Sequence, residues 1–213
     1  MLKILYYDDF IAVALKPAGL LSEGEGKDCF PSLLSTQLSS LMNKSVKLYT
    51  VHRLDRSTEG IMVYALTSEA AALLSADVGN GKWQKIYYAL LWGIPTQKSD
   101  RLCDLLYYDR SKGKSFVVAR ERKGVKQAIL SYRVIQEKDN RALVQIELET
   151  GRTHQIRAQF SSRGLPLCGD RRYGAPAESG KNLALCAYRL CFNHPFTKKR
   201  LEFEIEPSNI HTT

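Results

Sequence analysis

The stretch from Gln127 to Thr150, QAILSYRVIQEKDNRALVQIELET, most narrows what this chain can fold into. Two runs rich in β-branched and aromatic residues are broken once, by Lys138-Asp139-Asn140-Arg141. Asp and Asn tolerate the backbone angles of a tight reversal, so the break predicts a β-hairpin. Near the N-terminus, Asp8 and Asp9 stand between the apolar runs of LKILYYDD and FIAVALKP and predict another. Further strand signals fall at 46–54, 60–67 and 84–94, the last running up to Pro95. A final pair covers 183–195 and 199–207, where Leu201, Phe203 and Ile205 alternate with Glu202, Glu204 and Glu206.

Helix signals are fewer. Residues 31–43 carry apolar side chains at helical spacing. Residues 67–81 open on a Thr67-Ser68 cap and end in Gly79-Asn80-Gly81. Residues 153–164 open on Thr153 as a candidate cap and close on Gly164, with Ile156 and Phe160 on one side and Arg157 beside them. Segment 96–127 reads as a polar, irregular excursion over the surface. The pattern is α+β, a mixed and mostly antiparallel sheet with flanking helices and loops. A length of 213 residues with 44% hydrophobic content fits one domain, 1–213, with a core that needs no metal or disulfide.

Five cysteines, at 29, 103, 168, 186 and 191, form no C-x-x-C pair. An odd count at that spacing fits neither a disulfide framework nor a zinc site, and points to free thiols in a reducing cytosol. Asp8 and Asp9 interrupt the N-terminus before any long apolar run, which argues against a signal peptide or membrane span. The net charge of +9 favours a polyanionic partner, although many basic proteins bind nothing acidic. Its clusters at 120–126, 169–174 and 194–200 are too short for disordered tails. Turned to one side, they would make a broad surface suited to RNA.

Three stretches carry candidate chemistry. In YTVHRLDRSTEGIMVYAL (49–66), Asp55 stands between Arg53 and Arg56, with His52 before them and apolar runs on both sides. An Asp at a strand end is commonly a turn or capping residue. Flanking strands would instead hold it rigidly, and neighbouring cations favour its ionised form. Such a carboxylate suits nucleophilic or general-base work on an anionic substrate. Glu59 is the only nearby acid, which weakens a paired-carboxylate glycosidase reading. In LETGRTHQIRAQF (148–160), a helix start carrying His154, Gln155 and Arg157 after Arg152 reads as an anion site, or as an ordinary capped amphipathic helix. In QKIYYALLWG (84–93), Lys85, Tyr87 and Ala89 share one strand face. A tyrosine there can stack on a base, or simply belong to the sheet. Lys16 reads most simply as a strand-end charge before a Pro-Gly turn.

Together these motifs resemble the RluA-type pseudouridine synthases. HRLDRSTEG (52–60) is similar to the signature H-R-L-D-x-x-T-S-G, and KPAG (16–19) to the first motif of that family. KIYYALLWG (85–93) is similar to K-x-Y-x-A, and LETGRTHQIR (148–157) to L-x-T-G-R-x-H-Q-I-R. GDRRYG (169–174) and LALCAYRLCFNHP (183–195) complete the order, so the likeness runs over residues 4–207. The resemblance implies a pseudouridine synthase fold around a central RNA-binding cleft, and isomerisation of uridine in rRNA or tRNA stem-loops. It implies Asp55 as the catalytic aspartate, Arg157 as the cation that pairs with and positions it, and Tyr87 packed on the target base. Arg53, Arg56, Lys16, Arg152, His154 and Gln155 would line the site or bind phosphates. No metal and no organic cofactor is implied. A cytoplasmic monomer follows as the default.

Two positions depart from the family pattern: Glu59 replaces a Ser, and Cys186 replaces a His. The core motifs begin almost at Met1, so no N-terminal S4-like RNA-binding domain is expected, and RNA choice is expected to come from the core and from loops 20–45 and 96–127. The rival readings are a catalytically silent RNA-binding protein of the same fold and a glycosidase using Asp55 and Glu59.

Overall fold

Strands form where apolar runs meet turn residues, and the elements follow in this order: β1 (Ile4–Tyr7), β2 (Ile11–Lys16), α1 (Phe30–Met42), β3 (Tyr49–Thr50), β4 (Glu59–Ala65), α2 (Ser68–Gly79), β5 (Gln84–Trp92), β6 (Ser99–Asp109), β7 (Lys114–Val118), β8 (Val125–Lys138), β9 (Arg141–Leu148), α3 (Gln155–Ser161), β10 (Leu185–Asn193) and β11 (Arg200–Glu204). The computed structural model describes residues 1–206 and Ile210. Pro207, the end of the last predicted strand segment, lies outside them. The chain divides into two compact units, one of Met1–Gln84 with Ala187–Glu206, the other around Lys85–Cys186. Among the described residues no helix is long and apolar enough to cross a membrane.

In the first unit the sheet order is β1-β2-β4-β10, with β3 on β4 and β11 on β10. The predicted hairpin at Asp8 forms: Asp8 Oδ1 accepts the N–H groups of Phe10 (2.8 Å) and Ile11 (2.9 Å), and β1 pairs antiparallel with β2. Ile11–Ala14 and Ile61–Ala65 are buried along their whole length, the burial of strands covered on both faces. Helix α1 turns Phe30, Leu34 and Leu38, four apart, to the core, where Phe30 meets the Tyr64 ring of β4 at 6.0 Å. Helix α2 starts as predicted, with the Thr67 hydroxyl accepting Ala70 N–H at 3.1 Å.

Strands β2 and β4 pair from Ile11–Ala65 to Lys16–Gly60. That register sets the KPAG stretch beside HRLDRSTEG. Gly60 has φ +142°, and a Cβ there would lie 2.5 Å from the Ala187 Cβ on β10. Gly60→Ala is therefore expected to destabilise by about 1–3 kcal/mol through overpacking. Its urea midpoint should fall, and an unchanged midpoint would contradict this close approach.

In the second unit the order is β5-β9-β8-β6-β7. The predicted hairpin joins β8 and β9, with Asp139 (φ 50°) and Asn140 (φ 54°) both left-handed at its tip. Segment 96–127 corrects the sequence reading: it holds β6, β7 and the start of β8. Leu102 and Leu106 are buried, and Asp104 lies between them on the same face, masking the apolar alternation. The Asp104 carboxylate is satisfied there by Gln159 Nε2 (2.7 Å) and Arg163 Nη1 (2.9 Å). Helix α3 is covered from Gln155 to Phe160, with Phe160 edge-on to Tyr132 at 5.3 Å.

Candidate active site

The first unit brings Lys16, Arg56 and Asp55 together through two loops. Lys16 has no exposed surface. Its ammonium donates to the carbonyls of Pro17 (2.9 Å), Leu20 (2.9 Å) and Arg56 (3.3 Å). Arg56 Nε donates to Gly19 O at 2.7 Å, and Gly19 N–H donates back to Arg56 O at 2.7 Å. The buried Ser22 hydroxyl accepts Leu54 N–H (3.0 Å) and donates to Leu54 O (2.5 Å), while the Tyr64 hydroxyl holds Ser22 O (2.8 Å). His52 Nε2 accepts Val63 N–H at 2.9 Å, so the neutral ring carries its proton on Nδ1. The chain on both sides of Asp55 is thus pinned. Asp55 is half-buried, and its carbonyl accepts Thr58 N–H at 3.0 Å to close a turn.

Lys16 corrects the sequence reading. A side chain without exposed surface cannot reach an RNA phosphate; it organises the loop instead. Burial lowers its pKa to about 8, against the carboxylates of Asp55 and Glu59, which favour its charge. Glu59, itself buried, therefore acts as a counter-charge to Lys16. Arg53 is exposed, 3.1 Å from the Glu23 carboxylate. Such an exposed pair is weak and opens readily to another anion.

The second unit holds the other candidates. Helix α3 has seven residues, Gln155–Ser161, and starts later than the sequence signal. Thr153 is not its cap. His154 occupies that position at φ 53°, without a capping bond from its side chain. Gln155 is buried, and its amide bridges the local turn: Oε1 accepts from Thr150 Oγ1 (2.8 Å) and Arg152 N–H (3.0 Å), and Nε2 donates to Ile129 O (3.0 Å). The Gln155 side chain is thus taken up by an internal network at this helix end. Arg152 is exposed, with Nε donating to Gln127 O at 2.8 Å. His154 Nδ1 lies 3.0 Å from the Tyr173 hydroxyl.

Arg157 is buried and binds Asp170 through two parallel bonds, Nε to Oδ2 (2.7 Å) and Nη2 to Oδ1 (2.9 Å). Its guanidinium lies 4.9 Å from the Tyr173 ring, which Lys114 approaches to 4.6 Å. Tyr87 is buried on β5, opposite Ile146 of β9. Sequence reasoning missed Asp170 and Tyr173 as partners. Both lie in GDRRYG, which reads as positive charge until the fold closes Asp170 onto Arg157.

A carboxylate carried on a backbone pinned on both sides, within the electrostatic reach of a buried cation, suits nucleophilic or proton-abstracting work. A rigid arginine and several exposed cations in the other unit suit a polyanionic substrate.

The profile of the RNA pseudouridylate synthase family matches residues 10–162. The chain is 35% identical over 211 residues to the dual-specificity RNA pseudouridine synthase RluA of Escherichia coli (strain K12), covering 95% of this chain and 92% of that protein. It is 30% identical to the ribosomal large subunit pseudouridine synthase D of Zymomonas mobilis subsp. mobilis, over 96% of this chain and 69% of that protein. Among solved structures, the human RNA pseudouridylate synthase domain containing 4 superposes with a TM-score of 0.79 at 23% identity, over 96% of this chain and 88% of that one. That likeness speaks to the fold.

Proposed function

The chain belongs to the RNA pseudouridylate synthase family, and we propose that Asp55 is the carboxylate with which it isomerises uridine in structured RNA to pseudouridine. The reading is carried by one observation: Asp55 sits in a turn whose flanks are tied down by Lys16, Arg56 and Ser22. The reaction breaks the N1–C1′ bond, rotates the base, joins C5 to C1′, releases the C5 proton and leaves N1 to take up one proton, so that the product is an isomer. Attack on C1′, attack on C6 and removal of the C2′ proton all need an ionised carboxylate held close to the nucleoside. Isomerisation also requires that the free base stay bound and that a paired uridine be extruded first.

Arg157 is proposed to position the carboxylate and Tyr87 to pack on the base; both roles rest on the resemblance. Arg53, Arg56, Arg152 and His154 are proposed RNA contacts. The substrate is proposed to be an rRNA or tRNA stem-loop, in keeping with the names of the ribosomal and dual-specificity relatives. The two units are proposed to work as one catalytic domain, in a cytoplasmic monomer without metal or cofactor. Pseudouridine maps of total RNA from a strain lacking this chain and from its parent test the function. Loss of one or a few positions is expected; identical maps would refute it.

Lys16 is expected to make the reaction pH-sensitive. A neutral amine has two N–H donors for three carbonyls, so one loop contact is lost as pH rises through about 8. Turnover at saturating RNA is expected to fall there. Stability moves the other way. The folded pKa lies below the unfolded value of 10.5, so between about 8 and 10.5 the unfolded chain binds more protons and this group's contribution to stability rises with pH. Turnover that stays flat as the pH is raised through about 8 would contradict this role.

A further inference from the structure

Within the second unit lies a cleft of about 720 Å3, inside the range of ~300–1,000 Å3 usual for ligand sites. Its walls are the ends of β6 and β8 and the loop 151–153. Register decides which side chains face it. Leu106 pairs with Lys126 across β6 and β8, and Tyr108 pairs with Ser115 across β6 and β7. Cross-strand partners share a face, as do residues two apart in a strand, so Tyr108, Lys126 and Ser115 lie together. Ser115 Oγ donates to Thr153 O at 2.5 Å, which turns that face to the loop.

The lining is cationic: Arg110, Lys123, Lys126 and Arg152 stand against one carboxylate, Asp109. Asp109 Oδ1 is already engaged by its own turn, accepting from Ser111 N–H (3.0 Å) and Oγ–H (2.6 Å). Tyr108 is 39% exposed, and its ring is braced against His154, 6.1 Å away at 85°. An exposed ring beside several cations is the combination that holds unpaired nucleotides, because every base offers a π-face and every linkage a phosphate.

We propose that this cleft seats an unpaired nucleotide of the substrate RNA other than the uridine being isomerised, its base on Tyr108 and its flanking phosphates on Lys123, Lys126 and Arg152. The proposal rests on RNA being the substrate. Stacking tolerates any base, so the cleft adds affinity for a loop without reading its sequence. A base inside a duplex cannot reach the ring.

The test is binding of fluorescein-labelled hexaadenylate, which contains no uridine to isomerise. Tyr108→Ala is expected to weaken binding about tenfold, and Tyr108→Phe, which keeps the ring, to bind like wild type. Lys123→Ala combined with Lys126→Ala is expected to reduce the slope of log affinity against log salt by about 1.4. Lys44→Ala, a cation paired with Asp9 elsewhere, should change neither. Equal affinity in wild type and Tyr108→Ala would overturn the proposal, as would an unchanged slope in the double variant. Pseudouridine formation by the wild type reports separately. An active enzyme whose Tyr108→Ala variant binds hexaadenylate normally refutes the cleft alone. Ring-dependent binding by a protein that makes no pseudouridine supports the cleft and removes the proposed activity.

Discussion

Asp55→Asn is expected to abolish pseudouridine formation while the RNA still binds. The substitution keeps the shape of the side chain and removes the charge that every route to glycosidic-bond cleavage requires. The loss should reach at least about 10²–10⁴-fold in single-turnover rate, the scale of a missing acid–base or nucleophilic group. The loop itself should survive, because the contacts that pin it come from Lys16, Ser22 and Arg56 and use backbone atoms. A rate near wild type in Asp55→Asn would remove the carboxylate from the mechanism.

Arg157→Ala is expected to lower both stability and turnover. The substitution strands Asp170, whose side chain is 2% exposed, as an unpaired buried charge. Breaking such a pair costs about 3–5 kcal/mol, or on the order of 10 °C in Tm for a chain of this size. Lysine should not rescue it, since a single ammonium cannot reproduce two parallel bonds. Asp170→Asn separates the two roles. It weakens the same pair and leaves the guanidinium in place, so it should lower Tm while retaining more turnover than Arg157→Ala at a temperature where both are folded. Equal turnover losses in the two variants would make Arg157 purely structural, and a Tm within about 2 °C of wild type in Arg157→Ala would contradict the buried pair.

Local signals were legible and distant ones were not. The hairpins at Asp8 and at Asp139-Asn140 and the Thr67 cap depend on neighbouring residues, and each forms as read. Strand β6 was hidden because Asp104 breaks its apolar face, and the partners that satisfy it, Gln159 and Arg163, lie far along the chain. The start of α3 was misplaced because Thr153 resembles a cap, while the buried amide of Gln155 closes that turn from within. Lys16 looked like a strand-end charge; its burial depends on three carbonyls, one of them forty residues away at Arg56. Asp55 and the family motifs were readable as patterns. The Arg157–Asp170 pair was not, because GDRRYG gives no local sign of which charge turns inward.

Release of tritium from RNA labelled at C5 of uridine tests the central claim most directly. Forming the C5–C1′ bond expels the C5 proton, so each isomerisation frees one label into water. With RNA from a strain lacking this chain, the wild-type protein is expected to release label and Asp55→Asn to release none above background. No release by the wild type, or equal release by both proteins, would contradict uridine isomerisation by Asp55.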